Sequence, residues 1–388
     1  MVAEPFTEAV AEAERIITEA PHIRTEQDLL EGYDYLAGSI QRALQTAWAT
    51  DPDRPRFLTA PDADTKYGLD NPDTLYFGAT IRPDTDYVVT GKRGSTADLS
   101  FQVLGGDYTP AKVPGSLTAF DDRQLEIAED GSFEVHFGPK VKPGVPNSFP
   151  LGENAAILII REVYSDWDNQ VRGRLDIRAA NGTSGPPALS ERSMAKRYAA
   201  AGKILVTQLR TFLKFPEWFY YDRAANEMTA PRRTPGGLAT QFSSVGHYEL
   251  AADKALIVEV PKSGAPYQGF QLGSLWYIST DYLNAQTSLT AEQARADPDG
   301  MLRFVVSERD PGVANWLACT GHERGYLQIR WQRLDRELTE ADGPRTELVD
   351  LAELPERLPY YQHARITSEQ RARTLEARRA AIARRRFG

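Results

Sequence analysis

The chain of 388 residues contains a single cysteine, Cys319. One cysteine excludes an intrachain disulfide and any zinc site built from several cysteines, and it is compatible with a reducing compartment. No apolar run approaches the roughly 18 residues that a membrane-spanning helix needs. The N-terminal segment MVAEPFTEAVAEAERIITEA is acidic and has no charged stretch followed by an apolar one, so we expect no signal peptide. These features predict a cytoplasmic protein without a membrane span.

The sequence also lacks the short motifs that name a reaction. Neither a GxSxG nor an HExxH motif occurs, and no glycine-rich segment has the spacing of a phosphate-binding loop. There are only five histidines, and no closely spaced pair indicates a metal site. A site assembled from distant histidines stays open, although we expect no metal and no cofactor. The net charge of −9 disfavours nucleic-acid binding, because phosphate contacts need a basic surface.

Two regions have the turn-punctuated pattern of antiparallel β-structure. The first, residues 59–180, contains runs such as LYFGATI, LSFQVLG and AAILIIREVY. The second, residues 241–335, contains YELAADKALIVEV, GFQLGSLWYIS and YLQIRWQRL. Such strands close as sandwiches, jelly rolls or barrels, and we expect a jelly-roll-like sandwich. No repeat at a fixed period is evident, but the two blocks could be two similar halves.

Helical patterns occupy the remaining segments. Residues 1–58 are predicted to be a helical N-terminal region with a capping box at Thr25 and Asp28. Residues 188–214 carry apolar side chains at helical spacing and are predicted to be a connecting helix. Residues 366–388 hold seven Arg against two Glu, which predicts a basic helix that is solvated or packs on a partner, such as a second copy of the chain. The fold class is therefore mainly β with added helices.

Three stretches of the sequence resemble one bacterial family. DNPDTLYFGATIRPDTDYVVTGKRG is similar to the N-terminal part of the family known as the domain of unknown function numbered 1214. YQGFQLGSLWYISTDYLNAQTSL and DPGVANWLACTGHERGYLQIRW resemble its C-terminal signature, so that the match covers residues 60–335. The resemblance implies an antiparallel, jelly-roll-like β fold and brings no defined activity.

The first candidate for chemistry is the segment from Asp70 to Tyr76. Asp73 or Asp70 could serve as a general acid or base, while Asn71 or Tyr76 orients a substrate. Burial beside aromatic rings would raise the pKa of such a carboxyl group towards neutrality. Alternatively, the Asp and Asn side chains bind nearby backbone amides in a turn.

The second candidate surrounds His322. A histidine beside acidic residues is the usual proton-transfer group near pH 7, and the alternative is a turn histidine bonded to the backbone. Trp316 would form part of a pocket wall. Arg330 would bind a substrate carboxylate or phosphate, or pair with Asp281 or Glu308.

The third candidate is an aromatic and amide group that would line one concave face. Trp and Tyr rings stabilise cations and stack on sugars, and a role in the core and in turns is the alternative. Its members are Trp276, Tyr277, Asp281, Tyr282, Asn284 and Gln286, of which Trp276, Asp281, Tyr282 and Asn284 are the predicted substrate-binding residues.

Together these groups favour a cofactor-independent lyase or isomerase of the hydratase or dehydratase type. Its substrate would be a small hydrophobic alcohol, with Asp73 and His322 as the acid/base pair. A carbohydrate- or small-molecule-binding β-sandwich without catalysis is one alternative. A structural or assembly protein is another.

Overall fold

The computed structural model describes residues 1–106, 108–142, 144–182, 185, 189–219, 223–233 and 241–387. The chain begins with helices α1 (Glu4–Thr18) and α2 (Glu26–Ala49), which pack with α3 (Glu191–Phe212) through buried Ile17, Leu36 and Leu205. The predicted capping box at the start of α2 is confirmed. Thr25 Oγ1 accepts the N–H of Asp28 at 3.1 Å, and the Asp28 carboxylate accepts the N–H of Thr25 at 3.0 Å.

The first β block folds into two four-stranded sheets. Their orders are β1-β7-β3-β4 and β6-β5-β2-β8. Alternate side chains of both sheets, including Phe101, Val135 and Ile160, point into one buried core. The strands are β1 (Thr74–Thr80), β2 (Tyr87–Lys92), β3 (Asp98–Leu104), β4 (Ser116–Asp121), β5 (Ser132–Gly138), β6 (Ser148–Pro150), β7 (Ile157–Val163) and β8 (Arg174–Ala179).

The second β block is another two-sheet sandwich. Phe270, Phe304 and Ile329 lie in its core. Its strands are β9 (Gln241–Glu249), β10 (Lys254–Pro261), β11 (Tyr267–Ser274), β12 (Ser288–Thr290), β13 (Met301–Ser307), β14 (Trp316–Ala318), β15 (Arg324–Gln332) and β16 (Arg345–Asp350), with two-residue strands at Glu227–Met228, Arg232–Arg233 and Ile278–Ser279. The predicted block ended at residue 335 and therefore missed β16. This strand is a short, charged edge strand, which a hydrophobic pattern does not detect.

The two sandwiches have the same topology. The sheets of the second are ordered β9-β15-β11-β12 and β14-β13-β10-β16, so every strand takes the place of the strand eight positions earlier. Even the single parallel pair recurs, as β5–β6 and as β13–β14. The predicted class, mainly β with an antiparallel sandwich and added helices, is confirmed, and the sandwich occurs twice.

Four shorter or terminal helices complete the fold. They are α4 (Phe215–Phe219), α5 (Leu354–Arg357), α6 (Tyr361–Ala364) and α7 (Ser368–Phe387), with 3-10 turns at Asp122–Gln124, Glu340–Asp342 and Leu351–Glu353. α7 is not simply a solvated basic helix. One heptad-spaced stripe, Arg371, Arg378 and Arg385, is buried on the rings of Trp316 and Trp167 of the same chain. Guanidinium groups stack well on aromatic faces, which composition alone does not show.

The sandwiches meet through the outer faces of the sheets that contain β1 and β9. Thr290 Oγ1 donates to the Ser165 carbonyl at 2.5 Å, and Arg333 donates to the Ala97 carbonyl at 2.7 Å. These outer faces are polar and largely buried, so the side chains between them are candidates for a functional site. Within the described part of the chain, no helix could cross a membrane, and no three metal-binding side chains form a group.

Candidate functional site

The predicted acid and base lie near opposite ends of β15. Asp73 accepts a hydrogen bond from Tyr267, which pairs with Gln332 at the end of that strand. His322 comes just before Arg324, where the strand begins. Because a strand rises roughly 3.3 Å per residue, these ends are about 25 Å apart. The structure therefore does not bring Asp73 and His322 together.

Asp73 is almost completely buried, and both of its carboxylate oxygens are used. Oδ1 accepts from Trp167 Nε1 at 2.9 Å, and Oδ2 accepts from the Tyr267 hydroxyl at 2.8 Å. Burial raises the pKa of Asp73, while the hydrogen bond from Tyr267 and the charges of Arg385 and Arg378 act against this rise. Asp73 thus organises the side chains around it.

Asn71 connects two tyrosines in the loop before β1. Its backbone N–H donates to the Tyr76 hydroxyl at 3.1 Å, and its side-chain amide donates to the Tyr267 hydroxyl at 2.8 Å. Its Oδ1 also accepts the N–H of Asp73 at 3.0 Å. This is the alternative predicted from the sequence, in which the Asn side chain binds a nearby backbone amide in a turn. Asp70 accepts from the backbone and hydroxyl of Ser279, at 2.9 and 2.7 Å. This loop is therefore rigidly attached to the second sandwich.

His322 and Trp276 attach the α2 helix to the second sandwich. His322 Nε2 is 3.2 Å from the Glu31 carboxylate, and its Nδ1 is 2.8 Å from the Cys319 carbonyl. Burial lowers the pKa of His322, but the interactions with Glu31, the Cys319 carbonyl and the charge of Asp28 together outweigh it and raise the pKa to about 9. Trp276 is buried and donates from Nε1 to the Asp28 carbonyl at 2.7 Å. Both side chains have packing roles at this end of the sheet.

The remaining aromatic and turn residues do not share a concave face. Trp316 is half-buried beneath the guanidinium of Arg371, whose carbon lies 5.1 Å from the ring. Asp281 caps an exposed turn by accepting from the backbone and side chain of Asn284, at 3.0 and 2.8 Å. Tyr282 is buried in a different cluster from Trp276. None of these residues presents an open aromatic platform.

Arg330 is buried on the outer face of β15, as its candidate role requires. It donates from Nη1 to Gln271 Oε1 and from Nη2 to the Leu69 carbonyl, the latter at 2.7 Å. It pairs with neither Asp281 nor Glu308. Among the described residues, no carboxylate forms an ion pair with this guanidinium, although the charge of Arg330 opposes the rise that burial causes in the pKa of Asp70. A buried guanidinium that contacts no carboxylate directly is costly, so Arg330 is unusual for a structural residue.

Arg161 occupies the position in the first sandwich that Arg330 occupies in the second. Arg161 is the third residue from the end of β7 and lies opposite the third residue of β3. In the same way, Arg330 is the third residue from the end of β15 and lies opposite the third residue of β11. Arg161 Nη1 donates to Gln102 Oε1 at 2.8 Å, as Arg330 does to Gln271. Gln102 and Gln271 are also equivalent in register. The two sandwiches therefore carry the same arginine–glutamine pair.

Both arginines converge on Tyr76. The guanidinium carbon of Arg161 lies 5.9 Å from the Tyr76 ring centre. Burial raises the pKa of Tyr76, and the positive charges of Arg330 and Arg161 act against that rise. Tyr76 and Arg161 are half-buried, so the site reaches the surface, whereas Arg330 forms its buried end. We call Tyr76 with the two arginine–glutamine pairs the paired arginine site.

An aromatic cluster adjoins the paired arginine site. It contains Phe212, Phe215, Tyr277 and Tyr326, with Tyr67 and Tyr108 packed against it. Leu69, whose carbonyl accepts from Arg330, belongs to the same cluster. Burial raises the pKa of Tyr108, and the charge of Arg161 opposes this rise. Gln328 lies between Tyr326 and Arg330 on one face of β15, and its buried Oε1 has no hydrogen-bond partner among the described residues. The site thus combines polar donors and acceptors with an apolar wall.

Sequence reasoning identified Tyr76 and Arg330 but missed Gln102, Arg161 and Gln271. A signal for them is present in the sequence. The dipeptide Phe-Gln occurs in both β3 and β11, and Ile-Arg occurs in both β7 and β15, with the same separation between the two copies. These short recurrences do not form a repeat of fixed period along the chain, so only the shared topology makes them recognisable.

No family model matches the chain, and no curated protein matches it, so the resemblance to the family of unknown function stays a prediction. Among solved structures, the chain is similar to an uncharacterized protein from Burkholderia cenocepacia. The two are 26% identical, with a TM-score of 0.82, and the match covers 91% of this chain and 98% of the other. A protein from Vibrio parahaemolyticus is 13% identical, with a TM-score of 0.46 over 82% of this chain and 98% of the other. The similarity to the Burkholderia protein supports the fold, and because that protein is uncharacterized it indicates no activity.

Proposed function

We propose that the paired arginine site binds a small organic anion and recognises its carboxylate group. The observation that carries the proposal is the placement of Arg161 and Arg330. They occupy equivalent positions on two sandwiches, both act on Tyr76, and no described carboxylate pairs with either of them. Guanidinium groups bind carboxylates through charge-assisted and often bidentate hydrogen bonds. A bound anion would also compensate the buried charge of Arg330.

The partners of the two arginines support binding of an anion. Gln102 and Gln271 orient the guanidinium groups through neutral amide oxygens, so these two partners do not neutralise the positive charges. The adjoining aromatic cluster offers an apolar surface for the rest of a ligand. This combination favours a carboxylate attached to a small apolar or aromatic body.

The lyase or isomerase chemistry predicted from the sequence is a second proposal, with Tyr76 as the proton donor. Tyr76 accepts the backbone N–H of Asn71, which leaves its own hydroxyl proton available for a ligand. Its raised pKa keeps the hydroxyl protonated near neutral pH. A small alcohol that also bears a carboxylate would satisfy both proposals, because the arginines would bind its carboxylate and Tyr76 would donate a proton to its hydroxyl group. Asp73 and His322 would then support the fold and would not contact the substrate.

Calorimetric titration with a panel of aliphatic and aromatic carboxylates tests the binding proposal. We expect a panel member to bind, and its affinity to fall about tenfold or more in Arg330→Met and in Arg161→Met, because charge-assisted hydrogen bonds are lost. Arg373→Met, an exposed arginine of α7, is the matched control and should bind normally. Equal binding to Arg330→Met, or binding of the corresponding uncharged amide, would contradict the proposal. For turnover, Tyr76→Phe should retain binding and lose catalysis.

A further inference from the structure

Two buried arginines of α7 meet at a tryptophan of the first sandwich. The guanidinium carbons of Arg378 and Arg385 lie 4.4 and 4.1 Å from the Trp167 ring centre. Only 4% of Arg378 and 6% of Arg385 is exposed. Both side chains therefore lie at the junction where α7 covers the two sandwiches.

Several buried donors of these arginines lack an acceptor among the described residues. Arg378 Nη2 donates to Ser288 Oγ at 3.2 Å, but its Nε and Nη1 are buried without a partner among the described residues. Arg385 Nη1 donates to the Pro72 carbonyl at 3.0 Å, and its buried Nε also has no described partner. Buried N–H donors without acceptors are rare in proteins, and those on charged groups are especially costly.

The local charges do not balance. Asp73 is the carboxylate that acts on both guanidinium groups, and its two oxygens already accept from Trp167 and Tyr267. The other groups that act on Arg385 are the phenols of Tyr164 and Tyr282, which are neutral near pH 7. Burial lowers the pKa of Arg378 to about 10, which leaves it charged at neutral pH. Two positive charges thus face one negative charge.

We propose that Arg378 and Arg385, stacked on Trp167, form a second anion site that takes one small monovalent carboxylate. One negative charge balances the excess, and the carboxylate oxygens accept from free donors of this pair, such as Nη1 of Arg378 or Nε of Arg385. A doubly charged phosphate would leave a net charge among the buried rings of Trp167, Tyr164 and Tyr282, at a high desolvation cost. This site is distinct from the paired arginine site, because its donors belong to α7. The inference does not depend on the proposed function.

Acetate is a suitable probe, measured by titration calorimetry on the full chain at pH 7 and constant ionic strength. We expect saturable binding whose affinity falls about tenfold or more in Arg378→Met and in Arg385→Met. Arg373→Met, on the exposed face of the same helix, should leave acetate binding unchanged. Circular dichroism of each variant establishes that it is folded. If Arg378→Met does not fold, Arg378→Lys keeps the charge, loses the fork of donors, and should also weaken acetate binding.

Arg330→Met separates this inference from the proposed function. Acetate binding that persists in Arg330→Met and is lost in Arg378→Met supports the second site. Binding that is lost only in Arg330→Met belongs to the paired arginine site and overturns the inference, while the proposed function stands. No saturable acetate binding, acetate binding unaffected by Arg378→Met and Arg385→Met, or inorganic phosphate binding as tightly as acetate would also overturn it.

Discussion

Arg161 and Arg330 hold the same structural position in two sandwiches of identical strand order, and each donates a hydrogen bond to an equivalent glutamine. Two copies of one sandwich whose outer faces meet bring both pairs to a single tyrosine. Neither pair includes a carboxylate among the described residues. The chain therefore concentrates positive charge where its two similar halves face each other.

Supplying the missing counter-charge should stabilise the protein and weaken anion binding. In Gln271→Glu, the new carboxylate would lie against buried Arg330, but the substitution also removes the hydrogen bond that Gln271 Nε2 donates to the Asp70 carbonyl at 2.9 Å. We therefore expect a net gain in stability of about 1 kcal/mol or less at pH 7. The equivalent Gln102→Glu should gain less, because Arg161 is half-buried and its ion pair is better screened. Urea unfolding measures both variants. Calorimetric titration with the carboxylate panel measures anion binding, and undiminished binding to Gln271→Glu would contradict the prediction.

Removing the charge of Asp73 should strongly destabilise the fold. Asp73→Asn keeps the size of the side chain but removes the carboxylate whose charge acts on both Arg378 and Arg385, and breaking a buried ionic group of this kind costs about 3–5 kcal/mol. Asp281→Asn, in an exposed turn, is the matched control and should change stability by about 1 kcal/mol or less. Equal effects of the two substitutions in urea unfolding would argue against a central electrostatic role for Asp73.

Stability should decrease between about pH 6.5 and pH 9 because of His322. Its pKa is raised from 6.5 to about 9 in the folded state by Glu31, despite the opposing effect of burial. The folded state binds the proton more tightly than the unfolded state, so the stabilisation is complete below pH 6.5 and is lost as the pH rises through 9. Urea unfolding across this range measures the slope.

Glu31→Gln is the variant that isolates this effect. It removes the carboxylate that holds the proton on His322, so the decrease in stability over this pH range should become smaller. Glu26→Gln, an exposed residue in the first turn of α2, should retain the decrease of the unmodified protein. An unchanged slope in Glu31→Gln would show that another group titrates.

Cys319 should be unreactive while the protein is folded. Burial, followed by the charge of Glu308, raises the pKa of this thiol to about 12, and only the thiolate reacts with disulfide reagents. Labelling with a chromogenic disulfide reagent at pH 8 should therefore be slow in the native protein and fast in urea. Rapid native labelling would show that the thiol becomes exposed by local opening.

The sequence by itself determined the local structure of the chain. The capping box of α2, the runs of β-prone residues and the helical spacing in residues 188–214 depend on neighbours close in the chain, and the structure has helices and strands at these places. The mainly β class follows from the same patterns. Arg330 was also identifiable, because an arginine within an apolar strand needs a specific partner.

Tertiary structure alone decided which of these residues meet. The length of β15 separates Asp73 from His322, although each has the chemistry of an acid or base. Arg161 and Arg330 come from distant strands and converge on Tyr76 only because the two sandwiches have the same topology and contact each other. The arginines of α7 are buried because aromatic rings from other elements receive them, and the composition of a single helix carries no information about such long-range contacts.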